Sequence, residues 1–488
     1  MPRYPSLYQI NTRVYLNSLS DGLGRPATLD DFPEAELERI TDMGFDWIWL
    51  LGVWQTGEAS REVSRRREDL LVEFRNCLPD LQETDICGSC FAITGYTVHS
   101  GLGGNDALQR LRQRLASRGL RLLLDFIPNH TALDHPWVDQ HREYYIAGSE
   151  ADLLSQPQNY QRLPVESGSV ILAYGRDPYF PGWTDTYQLD YSNPNLQAAM
   201  QAELLQVASL CDGVRCDMAM LVLPDIFERT WGRRPAEFWP KAIAAVRSAH
   251  PDFLFMAEVY WDLEWTLQQQ GFDYCYDKRL YDRLRQGAAR PVREHLSAGL
   301  DYQDKLVRFL ENHDEPRAAA TFPIKMHEAA AVISFCTPGL RFFHQGQLQG
   351  FEKRLPVHLG RGAQEAGNPQ LIGFYSRLLA ALKQSAVRDG EWGQLEPTPA
   401  WEGNWTWDCF VAFTWLGGDA TRLLGIVNYA PNSSQCTLRL PFPELPGRTV
   451  MLRDLLSAAV YERYGDLLFQ TGLYLDLSPW SYHLFEIK

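Results

Sequence analysis

The chain reads as an α/β protein, a (β/α)8 barrel with an inserted excursion after its third strand and a C-terminal antiparallel β domain. Three observations predict this. Eight short apolar runs precede residue 350, and helical patterns separate them. Such alternation implies parallel strands with helices packed outside, and eight units close a barrel. Two connections are too long to be simple links, and beyond residue 388 the pattern changes to short alternating segments.

In chain order the strand candidates are SLYQINTRVYL, FDWIWLLGVW, LRLLLDFIPNH, CDGVRCDMAM, FLFMAEVYW, FDYCYD, LVRFLENHD and GLRFFHQGQ. Between them, DDFPEAELERITDMG, NDALQRLRQRLASRG, NPNLQAAMQAELLQVASL and PAEFWPKAIAAVRSA predict helices, several opening on Asp or Asn and closing on Gly. Residues 57–95 read as charged and irregular, and residues 131–191 as an excursion rich in aromatics, Pro and Gly. Long connections after barrel strands usually build a ligand cleft. The expected division is therefore 1–130 with 192–388 as the barrel, 131–191 as the insertion, and 389–488 as a β-sandwich, where CFVAFTW, RLLGIVNYA and QCTLRLPF alternate.

A net charge of −15 argues against a nucleic-acid partner, because polyanion binding needs a basic footprint. The start, MPRYPSLYQINTRVYL, lacks a secretory pattern, and no apolar run is long enough to cross a bilayer, so the expected address is the cytoplasm with no membrane partner. Nine cysteines, an odd count, suit reduced thiols better than a disulfide framework. Cys87 and Cys90 form a C-x-x-C without a second pair at zinc spacing, so no metal site is assigned.

Arg215 and Asp217 lie two apart in an apolar run and would share one side of an extended segment. As a pair they tolerate burial that neither would alone. Asp217, Glu258 and Asp314 close the fourth, fifth and seventh runs, and in a barrel those ends converge on the face that carries active sites. Three convergent carboxylates suit retaining glycoside cleavage, which needs a nucleophile and a proton donor about 5–5.5 Å apart. Arg215 would keep Asp217 as the carboxylate, and the apolar neighbours Met256 and Ala257 would help Glu258 keep its proton.

The fragments DFIPNH, GVRCDMAM, AEVY and FLENHD resemble, in order and strand position, the four signature regions of the α-amylase superfamily. With GYTVHSGLGG, HTALDHPWVD and LDYSNPN the resemblance spans residues 4–350. It implies Asp217 as nucleophile, Glu258 as acid and base, and Asp314 gripping hydroxyls of the distorted sugar. It further implies substrate contacts from Tyr96, stacking on the ring, from His130 and His313, and an orienting role for Arg215. Asp125 and Asn129 would be supporting residues; no cofactor is required, although Asn129 is a calcium ligand in members that bind calcium. HDEPR resembles a motif of members acting on short oligosaccharides and points to Glu315 and Arg317 as substrate-side contacts, a helix start being the other reading. Met218, Ala219, Met220 and Leu221 stand where starch-degrading members carry a Lys-His pair, which removes polar acceptor-side contacts.

Trp137, Trp183 and Tyr187 are candidate glucan contacts or core residues. Trp401, Trp405 and Trp407 suggest an alternating aromatic strand, or a sugar platform. The expected function is a retaining hydrolase of α-1,4-linked glucans or malto-oligosaccharides. Transfer of the same glycosyl intermediate to a sugar or phosphate acceptor is the alternative, and a non-catalytic carbohydrate-binding barrel the third reading. Oligomeric state is not legible.

Overall fold

Eight short parallel strands close into a barrel: β1 (Ser6–Asn11), β2 (Trp47–Leu51), β3 (Arg121–Phe126), β4 (Gly213–Cys216), β5 (Leu254–Ala257), β6 (Tyr274–Tyr276), β7 (Leu306–Arg308) and β8 (Leu340–His344). They neighbour one another in sequence order, and β1 pairs with β8 to complete the ring. The computed structural model describes residues 1–165 and 168–488. Strands buried on both faces explain the near-continuous apolar runs, WIWLL in β2 and LRFFH in β8 among them. No helix among the described residues is long and apolar enough to cross a membrane.

The first apolar run is shorter as a strand than its sequence suggests. Asn11 ends β1, and its side chain accepts the Val14 N–H to cap a helix over Thr12–Leu23, so RVYL is helical. At the seventh run β7 stops at Arg308, and Asp314 lies six residues further on, in a loop.

The irregular reading of residues 57–95 is corrected by two helices, Glu58–Arg66 and Glu68–Cys77. Their apolar periodicity is weak because Ser60 and Ser64 occupy the buried face of the first. Its exposed face is laced by Arg61–Glu58 and Arg65–Glu62 pairs at 2.8 Å, three residues apart. After β3, the strands His130–Ala132, Trp183–Gln188, Gly168–Gly175 and Tyr160–Val165 pair in that order as an antiparallel sheet.

From Glu391 onward a six-stranded and a three-stranded antiparallel sheet enclose a second core that includes Phe410, Leu424, Cys436 and Phe485. Trp415 donates from its indole to Cys336 O at 2.8 Å, and Tyr429 donates to Leu284 O at 2.7 Å, so buried hydrogen bonds fasten this region to the barrel. The aromatic strand expected at Trp401, Trp405 and Trp407 does not form. Trp401 and Trp405 sit in an exposed turn, while Trp407, in a 3-10 turn over Thr406–Cys409, packs on Arg293. Gly403 with φ 80° makes that turn, which breaks the alternation.

Candidate active site

The carboxyl ends of β4 and β5 carry adjacent acids because the ladder continues one residue past each strand. Asp217 N–H donates to Phe126 O at 2.8 Å and Glu258 N–H to Cys216 O at 3.0 Å. Arg215, wholly buried, then spans the two side chains: one terminal nitrogen lies 2.6 Å from Asp217 Oδ1 and the other 2.7 Å from Glu258 Oε2. Asp125, at the matching level of β3, is 3.8 Å from the same guanidinium. The rings of Phe91, Trp49 and Tyr276 surround the cation at 5.2, 5.4 and 5.9 Å. One buried cation among three carboxylates satisfies the electrostatics that burial would otherwise forbid.

Three groups converge on the Glu258 carboxyl, two at Oε2 and one at Oε1. Oε2 accepts from Arg215 and from Met218 N–H at 2.7 Å, while Oε1 accepts from Tyr260 O–H at 2.8 Å. Met218 has the left-handed backbone φ 42°, ψ 46°, an uncommon state for a side chain other than Gly, and that turn aims its N–H at the carboxylate. Burial pushes the Glu258 carboxyl up to about 8, with Arg215 opposing and the charges of Asp217 and Asp314 adding to the rise. Asp125 is raised by burial to about 7 against the pull of Arg215.

Asp314 is presented by a local turn: Asn312 Oδ1 accepts the N–H groups of Asp314 and Glu315 at 2.9 and 2.8 Å. Its side chain is 43% exposed, open to the cavity. His313 is held neutral by burial, reinforced by Arg215. Gln9 donates to its Nδ1 at 3.0 Å while Gln9 Oε1 faces His344 Nδ1, which leaves the proton on Nε2. That nitrogen is 3.1 Å from Asp314 Oδ2 but off the hydrogen-bond line, so it stays free for a ligand hydroxyl. His130 is likewise lowered by burial and stands in the cavity wall against Trp183.

These groups surround one cavity of about 420 Å³, within the range of small-molecule sites. Asp217, Glu258, Asp314, His130 and Trp183 line it. Arg215 and His313 lie directly behind that lining. Two expected substrate contacts do not reach it. Tyr96 is buried in the wall, where its hydroxyl donates to Ile127 O at 3.0 Å, accepts Ile127 N–H at 2.9 Å, and its ring stacks on Phe126. Phe91, just before the strand Ile93–Val98, takes the place facing the acids. Arg317 is turned inward to Glu311 at 2.5 Å, with Gln345 O and Lys353 O as further acceptors. Glu311 also accepts Ala318 N–H at 2.7 Å, so the helix-start reading of this motif holds. Glu315 pairs with Lys278 at 3.3 Å.

Trp137 packs on His135 and Tyr144, and Tyr187 on Tyr145 and Tyr174, both away from the cavity. Besides Phe91, the cavity gains Val63, Arg67, Asp185, Tyr260 and His358, which sequence reasoning passed over. Only Tyr260 carried a usable signal, two residues beyond Glu258 and on its side of an extended segment. Asn129 does not fit a calcium ligand here: its amide nitrogen donates to Gln188 Oε1 and its oxygen accepts from Gln188 Nε2 at 3.0 Å. Among the described residues no cluster of three His, Cys, Asp or Glu side chains could hold an ion.

The family model for the α-amylase catalytic domain matches residues 34–369. An α-amylase of Dictyoglomus thermophilum, Alpha-amylase 3, is 22% identical over 54% of this chain and 53% of its own length. An alpha-1,4-glucan:maltose-1-phosphate maltosyltransferase of Burkholderia pseudomallei is 28% identical over 60% of this chain and 23% of its own. The chain thus spans about half, or less, of the length of these relatives. In fold it is similar to the maltogenic α-amylase AmyB of Thermotoga neapolitana, with TM-score 0.70 at 19% identity over 99% of this chain and 98% of that one. The match of the catalytic-domain model across most of the barrel, with its acids where the fold gathers them, establishes that this chain belongs to the α-amylase family.

Proposed function

We propose that the protein is a retaining α-glycoside hydrolase of α-1,4-linked glucans or malto-oligosaccharides. The observation that carries this is the single guanidinium of Arg215 gripping both Asp217 and Glu258, which supports the close pairing of two carboxyls that a retaining mechanism uses. Asp217 attacks the anomeric carbon while Glu258, protonated below pH 8, gives its proton to the departing oxygen. The bond from sugar to leaving oxygen breaks as the bond to Asp217 forms. Glu258, now a carboxylate, takes a proton from water, which attacks the same carbon and releases Asp217. Asp314 and the neutral His130 and His313 hold the ring hydroxyls as positive charge develops.

Asp217→Asn is expected to lower turnover of maltoheptaose by several orders of magnitude with the melting temperature little changed. Near-normal turnover would refute the assignment. The maltosyltransferase relatives support a second reading, in which a sugar or phosphate acceptor replaces water. Product chromatography with and without phosphate or a second sugar separates the two: free reducing ends alone mean hydrolysis, whereas longer chains or a sugar phosphate mean transfer.

A further inference from the structure

The connections around the cavity are tied to one another on every side. The one after β2 meets the one after β3 through Ala59 N–H to Asp134 Oδ2 at 3.0 Å and Ser60 Oγ–H to Asp185 O at 2.7 Å. It meets the one after β8 through Cys87 N–H to His358 O at 2.8 Å, Arg361 to Asp85 at 2.7 Å, and an Arg354–Glu73 pair. Arg354 also donates to Asp314 O at 3.1 Å, which draws in the connection after β7. Lys278 with Glu315 and Arg279 with Asp262 carry the rim across β6 to β5. Tyr179 closes the circuit, packed edge-on against Trp261 at 5.0 Å and accepting from Arg229 at 3.0 Å.

A groove that cuts chains internally needs two open ends, and a tied rim leaves one mouth. The polarity of entry follows from the acid. Glu258 protonates the leaving oxygen, so the leaving portion lies on its side, toward Tyr260 and Trp261. There the rim offers Tyr179 and Phe180, 56% and 66% exposed, as apolar faces that suit the C–H faces of sugar rings. At the connections after β7, β8 and β2, Phe91 and Asp314 line the cavity wall, and Arg354, paired with Glu73, ties the Asp314 turn to the rim.

We propose that this site is a one-mouthed pocket that takes the non-reducing end of an α-glucan, with the leaving portion running out over Tyr179, Phe180 and Trp261. The inference rests on the glycosidase reading above and makes the enzyme exo-acting. Three substrates test it: maltoheptaose, maltoheptaose blocked at its non-reducing end by a benzylidene group, and β-cyclodextrin, which has no end. Turnover of the free chain, with the blocked and cyclic ones slower by about a hundredfold or more, is the expected result. Comparable turnover of the blocked or cyclic substrate overturns the chain-end pocket and leaves the glycosidase reading standing. Failure to turn over the free chain overturns the glycosidase reading itself, and this inference with it.

Discussion

Tyr260→Phe removes one hydrogen bond and little else, because the ring stays and only the hydroxyl 2.8 Å from Glu258 Oε1 is lost. Oε2 keeps Arg215 and the Met218 N–H, and among the described residues the phenol is the sole donor to Oε1. A hydrogen bond to a charged acceptor contributes about 1.5–3 kcal/mol. It favours the carboxylate over the acid, so its loss raises the pKa, by roughly 1–2 units at 1.36 kcal/mol per unit. Arg215, Asp217 and Asp314, the other charges acting on Glu258, are untouched. Because Glu258 must be protonated to act on free substrate, kcat/KM of the native enzyme is expected to fall as pH rises through about 8. In the variant that alkaline limb moves up by about 1–2 units, while kcat near neutrality drops about tenfold or more as the carboxylate needed to activate water becomes scarcer. The assay is kcat/KM and kcat for maltoheptaose from pH 5 to 10, with thermal melting as a control for folding. An alkaline limb that stays in place, with activity reduced equally at every pH, would show that Tyr260 only fills space.

Phe91→Ala and Tyr96→Phe should separate cleanly. The first removes a cavity face and a ring 5.2 Å from Arg215, and is expected to lower kcat/KM roughly tenfold or more. The second leaves the Ile127 amide and carbonyl unpaired in the wall, costing about 1–3 kcal/mol of stability with kcat/KM unchanged; a large activity loss here would restore Tyr96 as a substrate contact. Arg317→Met strands the buried Glu311, and denaturant unfolding is expected to report a loss of about 3–5 kcal/mol with the KM of the folded enzyme preserved. A raised KM at full stability would instead place Arg317 on the substrate.

Much of the barrel was legible because its strands are largely apolar runs, as in WIWLL, and because some helix starts carry a side-chain cap, as Asn11 and Asn193 do, both local properties. The acids were legible for a related reason: a residue just past a parallel strand has its position set by the ladder, as at Asp217 and Glu258. The helix at residues 58–66 escaped because its buried face uses serine, which hydrophobic periodicity does not register.

By itself the sequence determined the α/β barrel, its appended β domain, and the pairing of Arg215 with Asp217, since two-residue spacing on a strand leaves few alternatives. Only the tertiary structure decided that Phe91 and not Tyr96 faces the acids, that Arg317 turns inward, and that Tyr260 completes the Glu258 shell. The reason is physical: which way a loop side chain points depends on neighbours far away in the chain, such as Ile127 for Tyr96 and Glu73 with Arg354 at the rim. No local pattern carries that information, because the competing faces are equal until the distant segments arrive.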